Sequence, residues 1–269
     1  AFRWGRVAVA DPGRVDAILK AERQKKEAAT GQATLTDEAR RLIDASGASG
    51  ELRRLLEVRV PELIAYQDAK YAERYVGFVK LVAEGEARAV PGRTALAEAV
   101  ARNLHKLLAY KDEYEVARLH LLDTERERVR REFGEDAQVW FMLHPPVLRA
   151  LGLRRKLKLG AWFRPAFGLL YRMRRLRGTA LDPFGRAEVR RVERALPDEY
   201  RSLVQRALER LTPATHATVA QVAALPELVR GFEDIKLAGV ERFRAEAERL
   251  GRELDAPGGG RFALPVVQA

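Results

Sequence analysis

Residues 96–115 decide the fold, and they read LAEAVARNLHKLLAYKDEYE. Their apolar side chains at helical spacing are Leu96, Val100, Leu104 and Leu107. These positions share one face of a helix, and such a face is typical of a helix packed into a core. The same spacing then reaches Lys111 and Tyr114, so a charge enters a position where the pattern favours an apolar residue. A buried charge is costly unless it is paired and hydrogen-bonded, and we therefore expect a polar network there.

The helix before this stretch also carries a polar residue on its apolar face. That face comprises Ile64, Tyr71, Tyr75, Phe78 and Val82, with Asp68 among them. We predict one network shared by the two helices, with Asp68, Tyr71, Lys111, Tyr114 and Glu115 as its members. Two roles are open for it: an ion-pair network that fixes the helices in register, or acid and base groups in a cleft. The structural role is favoured, because ion-pair networks perturb titratable groups as readily as active sites do.

The pattern along the whole chain predicts a mainly α-helical fold, a multi-helix domain with long antiparallel helices. Helices are expected from Asp11 toward Ala29, over Asp37–Ala45, from Pro61 past Tyr75, from Thr94 to about Leu122, over Trp162–Leu176, from Arg186 to about Leu211 and from Pro226 to about Leu254. Residues 138–143 and 153–159 predict one small antiparallel β element near residues 138–159.

Composition divides the chain into three parts. Residues 1–50 form an N-terminal linker with helices, residues 51–254 form the main helical domain with a basic insertion at 137–181, and residues 255–269 form a flexible tail. The uncharged runs are too short and too polar to span a bilayer, and no signal-peptide pattern opens the chain. We therefore expect no membrane association and a cytoplasmic location. The first residue is Ala rather than Met, as we expect of a piece cut from a longer polypeptide.

The sequence excludes several kinds of site. It contains no cysteine, which excludes disulfides, thiolate nucleophiles and cysteine-ligated zinc or iron–sulfur centres. The four histidines are His105, His120, His144 and His216, and no two of them are spaced i, i+4 with a carboxylate between them. A phosphate-binding glycine loop and a nucleophile elbow are also missing. We identify no catalytic residue and no metal ligand in the chain.

Positive charge is concentrated in one segment. The chain has a formal net charge of +11, and residues 137–181 contain ten basic residues and no Asp or Glu. The candidate docking surface comprises Arg154, Arg155, Lys156, Lys158, Arg172, Arg174, Arg175 and Arg177. Such a surface would attract the acidic face of another domain or protein, or nucleic acid with help from nearby aromatic residues, or it is simply solvated. Nucleic acid is the least favoured of these partners.

Four segments resemble a known protein region. They are Leu63–Ala72, Ala99–Leu119 with its Tyr-Lys-Asp-Glu-Tyr-Glu motif, Leu176–Gly185 and Leu225–Phe232. In this order they resemble the C-terminal helical region of the long, fused bacterial indolepyruvate ferredoxin oxidoreductases. Those enzymes belong to the thiamine-diphosphate-dependent 2-oxoacid:ferredoxin oxidoreductases. The resemblance extends from about Ala1 to about Glu253.

The resemblance implies a parent protein that oxidatively decarboxylates aryl pyruvates with coenzyme A and passes the electrons to ferredoxin. Thiamine diphosphate, Mg²⁺ and 4Fe-4S clusters would serve that chemistry elsewhere in the parent polypeptide. This chain lacks the Gly-Asp-Gly segment with which such enzymes ligate Mg²⁺, and it lacks cysteine. We therefore expect it to bind none of these cofactors.

The expected function is that of an accessory, non-catalytic C-terminal domain of such an oxidoreductase. It would pack against other domains or subunits of the same enzyme. Ferredoxin, a small acidic protein, is a further expected partner for the basic segment. The alternative is a free-standing basic helical module that binds nucleic acid or an acidic partner protein.

Overall fold

The computed structural model describes residues 35–136, 138–143, 155, 157–185 and 188–255, together with Asp11, 13–15 and 17. Most of the helix expected from Asp11 toward Ala29 lies outside the described residues, as do the tail after Asp255 and the basic residues Arg154 and Lys156. Within the described ranges the fold is mainly α-helical with one small sheet, and this prediction is confirmed.

The helices are numbered in chain order. They are α1 Asp37–Ala45, α2 Gly50–Tyr66, α3 Ala69–Ala89, α4 Ala95–Leu108, α5 Glu113–Leu121, α6 Asp123–Phe133, α7 Arg164–Arg172, α8 Glu188–Leu208, α9 His216–Ala224 and α10 Glu233–Leu254. Short 3-10 turns cover Ala161–Phe163, Met173–Leu176 and Leu225–Leu228. Strand β1, Phe141–Leu143, pairs antiparallel with β2, Leu157–Leu159, which confirms the expected β element.

One large core fills the space between α1–α4 and α8–α10, and we call this part the bundle. Its largest fully buried side chains include Leu56, Leu63, Tyr75, Leu104 and Tyr200. Helices α2, α3 and α4 contact one another, and α4 also contacts α8 and α9. The apolar face of α4 that begins at Leu96 is buried in this core, as its spacing predicts.

A second, much smaller core lies outside the bundle. Its buried members are Ala117 of α5, Phe141 of β1 and Phe167 of α7. We call α5, β1, β2 and α7 the satellite, together with the adjoining residues Trp140 and Arg155 and the 3-10 turns Ala161–Phe163 and Met173–Leu176. The Phe141 and Phe167 rings meet edge to face with their centroids 4.9 Å apart. Such pairs are stabilised by the quadrupoles of the two rings in addition to burial.

The second long helix is shorter than predicted. Instead of running to about Leu122, α4 ends at Leu108, and a new helix, α5, begins at Glu113. The Asp112 side chain caps α5 by accepting a hydrogen bond of 2.8 Å from the Glu115 backbone N–H. An N-terminal cap of this kind satisfies a backbone donor that has no partner within the helix. The break changes the helical phase, and Lys111 is therefore exposed rather than buried.

Two prolines do not start helices as predicted. Helix α2 begins at Gly50 and continues through Pro61, because Leu52, Leu56 and Leu63 all lie in the core and stabilise the longer helix. Pro226 lies in the 3-10 turn Leu225–Leu228, and the last helix begins later, at Glu233. Burial of an extended apolar face thus outweighs the loss of one hydrogen bond at Pro61.

Candidate functional site

Arg177 is the centre of a buried polar network between the satellite and the bundle. It follows the 3-10 turn Met173–Leu176, and its side chain is only 6% exposed. The guanidinium donates to both oxygens of Asp112, Nε to Oδ2 at 2.5 Å and Nη2 to Oδ1 at 2.9 Å. A bidentate arginine–carboxylate pair of this kind combines charge with fixed geometry. The pair joins the chain that follows α7 to the N-terminal cap of α5, two parts of the satellite.

The same guanidinium also holds the end of α2. Its Nη1 donates to the backbone oxygen of Tyr66 and to the Gln67 side-chain oxygen, each at 2.7 Å. The Tyr66 carbonyl lies in the last turn of α2, where carbonyl groups lack partners within the helix and favour a cation. The guanidinium carbon lies 3.7 Å from the centre of the Tyr66 ring, so a cation–π contact adds to the hydrogen bonds.

Asp182 fixes the loop that follows Arg177. Its carboxylate accepts hydrogen bonds from the N–H groups of Gly178 at 3.1 Å and Phe184 at 3.0 Å. The hydroxyl of Tyr114 donates to it at 3.0 Å, and Arg194 donates as well. Burial raises the pKa of Asp182, but these donors and the Arg194 charge outweigh it, and the pKa lies below its usual range.

The structure brings together only part of the predicted network. Tyr114 is buried and belongs to it through Asp182, while Tyr71 donates its hydroxyl to the backbone oxygen of Leu108. Glu115 is buried but forms a separate bidentate pair with Arg118. Asp68 is exposed and caps α3 by accepting from the Tyr71 N–H at 2.8 Å. The prediction that Asp68 and Lys111 are buried is therefore wrong. Each lies between two helices, so the spacing of the preceding helix does not extend to it.

Sequence reasoning missed the two carboxylate–arginine pairs that form the network. One signal was available for Asp112, because Asp112-Glu113-Tyr114-Glu115 has the spacing of a capping box and marks a helix start. The sequence predicts Arg177 in the docking surface, but its side chain is buried and paired within the chain. Nothing near Arg194 in the sequence indicates its distant partner Asp182. Since every charge in the network has an opposite charge or a hydrogen-bond partner, the geometry supports a structural role.

The basic surface of the satellite is accompanied by exposed apolar side chains. Arg155, Lys158, Arg172 and Arg175 are exposed, whereas Arg174 is half-buried and stacks on Tyr171. The exposed apolar side chains beside them are Trp140, Met142, Trp162 and Leu169, of which Trp162 is 71% exposed. The Lys158 ammonium lies 4.3 Å from the centre of the Trp140 ring. Exposed apolar side chains that accompany charged ones are typical of an interaction site.

A cleft of about 310 Å³ lies where the end of α4 faces α8 and the chain around the start of α10. Its apolar lining includes Leu107, Tyr110, Leu196 and Val229. Four cations line it as well: Lys106, Lys111, Arg230 and Lys236. The one carboxylate in the lining is Glu193, which already bonds Lys236 and Arg190. The cleft is thus apolar inside and strongly positive at its edge.

No group of three or more histidine or carboxylate side chains within the described ranges has the geometry to hold a metal ion. No helix in those ranges is both long and apolar enough to cross a bilayer. Neither the Arg177 network nor the cleft therefore contains a recognisable metal centre among the residues that are described.

These features define a helical protein with an internally satisfied polar network, a basic cleft and a basic surface rich in exposed apolar side chains. Residues 52–249 match the family described as a family of unknown function, DUF6537, and the chain belongs to that family. The match begins in α2 and ends in α10, so it includes the satellite, the network and the cleft. Comparison with curated proteins and with solved structures gave no match.

Proposed function

We propose that the chain is an accessory helical region of an enzyme similar to the indolepyruvate ferredoxin oxidoreductases, and that it has no catalytic centre of its own. The observation that carries the proposal is the position of the four resembling segments. Leu63–Ala72, Ala99–Leu119 and Leu176–Gly185 supply Tyr66, Asp112, Tyr114, Arg177 and Asp182, which are joined in one network. Leu225–Phe232 supplies part of the cleft beside that network.

This arrangement supports an accessory role rather than catalysis. The segments that carry the resemblance contact one another through hydrogen bonds that hold helices and a loop in place, and those bonds use up the charges that acid–base chemistry would need. Thiamine diphosphate, Mg²⁺ and 4Fe-4S clusters belong, in this proposal, to other parts of the parent polypeptide. A cytoplasmic location is part of the same proposal, because coenzyme A and ferredoxin are intracellular reactants.

The satellite surface is the part that contacts the rest of the enzyme in this proposal. Exposed Trp140, Met142 and Trp162 provide apolar area, while Arg172 and Arg175 provide charge for an acidic partner face. Aromatic residues and arginine are the residue types that contribute most to protein interfaces. An acidic protein such as ferredoxin is the second candidate for this surface, because charge complementarity would accelerate its encounter with the enzyme.

The test is a kinetic assay of the native enzyme with charge reversal at Arg172 and Arg175. Aryl-pyruvate-dependent and coenzyme-A-dependent reduction of ferredoxin would be measured at low and high salt. If the surface joins domains or subunits, the variant loses subunit association or stability and its KM for ferredoxin is unchanged. If ferredoxin docks there, its KM rises at low salt only. A native gene product with no aryl-pyruvate oxidation and no oxidoreductase partner would contradict the proposal.

A further inference from the structure

The cleft beside the polar network has a charge distribution that the accessory role does not explain. Lys106, Lys111 and Arg230 have no carboxylate within ion-pair distance among the residues that the structure describes. Their visible hydrogen bonds go to neutral groups: Lys106 Nζ donates to the Pro226 carbonyl at 2.7 Å, and Arg230 Nε donates to the Glu227 carbonyl at 2.7 Å. These bonds hold the side chains without neutralising them.

The cations are close enough to influence one another. Partial burial lowers the pKa of Lys106, and the charges of Arg230 and Lys236 lower it further, while Glu227 opposes them. Lys236 is the one cation of the four with a carboxylate partner, Glu193. Like charges gathered in a cleft raise the free energy of the folded chain unless an anion binds between them.

Two glycines shape one wall of the cleft, the segment 229–232 that carries Arg230. Gly231 has a φ of +87°, in the left-handed region that favours glycine. Gly239 of α10 lies so close to this wall that a Cβ built on it would be 2.8 Å from the backbone oxygen of Leu228. Helix α10 therefore packs directly on the backbone of residues 228–230. The wall is fixed by packing, and Phe232 next to it is 71% exposed.

We propose that this cleft binds a small phosphorylated organic anion with a flat apolar part. The phosphate groups would lie among Lys106, Lys111 and Arg230, and the apolar part against Val229 and Phe232. The volume of about 310 Å³ lies at the small end of the usual range for ligand sites, roughly 300–1,000 Å³. Two ammonium groups and one guanidinium match a group with two or more negative charges better than a single carboxylate.

This site goes beyond the accessory role and does not depend on it, because the test needs only the full 269-residue chain. ADP is the probe that carries both a diphosphate and a flat ring system, and pyrophosphate is the probe that carries charge alone. Titration calorimetry at physiological salt gives the affinity for each. We expect both probes to bind, with ADP tighter, and Phe232→Ala to remove most of the difference.

The matched variants separate the cleft from general basicity. The double substitution Lys106→Gln with Arg230→Gln removes two charges from the cleft, and Arg172→Gln with Arg175→Gln removes two charges from the satellite. Glutamine removes each charge but keeps a polar side chain, and the far-ultraviolet circular dichroism of each variant checks that it folds. We expect the cleft variant to bind ADP about tenfold or more weakly, and the satellite variant to differ from wild type by less than about twofold.

Either of two results would overturn the proposal. Equal weakening by the cleft and satellite variants would mean that the anions respond to the overall charge of the protein. No binding of ADP or pyrophosphate at several millimolar would mean that the cleft has no affinity for phosphate groups.

Discussion

The bundle and the satellite differ in how each is stabilised. The bundle buries an extensive apolar core that includes Leu56, Leu104 and Tyr200, and it gains most of its stability from burial. The satellite has three buried side chains in its core, while Trp140 and Trp162 remain exposed. A core of that size cannot stabilise an independent domain. The satellite therefore depends on its attachment to the bundle.

The attachment is made of polar groups. Arg177 is paired with Asp112 at the start of α5 and donates across to the Tyr66 carbonyl of the bundle, and the Tyr171 hydroxyl donates to the Ala65 carbonyl at 2.9 Å. Directional hydrogen bonds fix an orientation that a small apolar contact would leave variable. The satellite is thus held in a fixed orientation by polar contacts, while Trp140 and Trp162 remain exposed.

The largest expected effect is that of breaking the attachment. Arg177→Ala leaves the buried Asp112 carboxylate without its cation, since only the Glu115 N–H would still donate to it, and we expect the variant to lower the free energy of unfolding by about 3–5 kcal/mol. Arg175→Ala is the matched control, because Arg175 is exposed, and it should change stability by less than about 0.5 kcal/mol. Urea denaturation of the two variants provides the measurement. Equal midpoints for both would show that the network does not join the two regions.

The next effect distinguishes the two cores. Leu104→Ala creates a cavity in the bundle and should cost about 2–5 kcal/mol of global stability. Phe167→Ala removes the centre of the satellite core, and we expect it to open α5 and α7 while the bundle remains folded. Hydrogen exchange read by mass spectrometry would show fast exchange confined to those helices. Uniformly faster exchange through α2, α3 and α4 would mean that the two regions unfold together.

A smaller change in stability is expected when Asp68, the N-terminal cap of α3, is replaced. As an exposed helix cap it should contribute about 1 kcal/mol, whereas a member of a buried network would contribute several times more. Asp68→Asn, which can still cap the helix, is the control. Thermal unfolding of Asp68→Ala and Asp68→Asn gives both values. A decrease of about 3–5 kcal/mol in the free energy of unfolding of Asp68→Ala would show instead that Asp68 belongs to a buried network.

The smallest expected effect is the pH dependence of stability that comes from His105 in α4. His105 is buried, and burial lowers its pKa, although its neighbour Glu62 partly offsets the shift. The unfolded chain then binds the proton more readily than the folded chain does. Protonation of His105 therefore favours the unfolded chain. The free energy of unfolding keeps its full value above about pH 6.5 and decreases as the pH falls below it.

His105→Gln should reduce the loss of stability between about pH 7 and pH 5.5, where histidine titrates. Burial also lowers the pKa of His120 in the satellite, so part of the dependence should persist in this variant. Melting temperatures across that range provide the comparison. A steeper decline in His105→Gln than in the wild type would contradict the assignment of the pKa shift.

The fold class, the β element and the apolar face of α4 could be predicted, because each depends on a local pattern of residue types. The network could not, since Arg177 and Asp112 are separated by 65 positions, and Asp182 and Arg194 come together only through packing. Lys111 is exposed, contrary to the prediction, because α4 ends at Leu108 and the helical spacing does not continue to position 111. The cleft combines residues from distant segments, and sequence spacing alone gives no indication of it.

We propose that the exposed face of the satellite is covered in the native assembly. Hydroxyl-radical footprinting of the isolated chain and of the native protein measures this directly at Trp140 and Trp162, with exposed Phe133 of α6 as the reference. We predict fast oxidation of both tryptophans in the isolated chain and strong protection in the native protein, with Phe133 unchanged. Equal oxidation of Trp140 and Trp162 in both samples would contradict the claim.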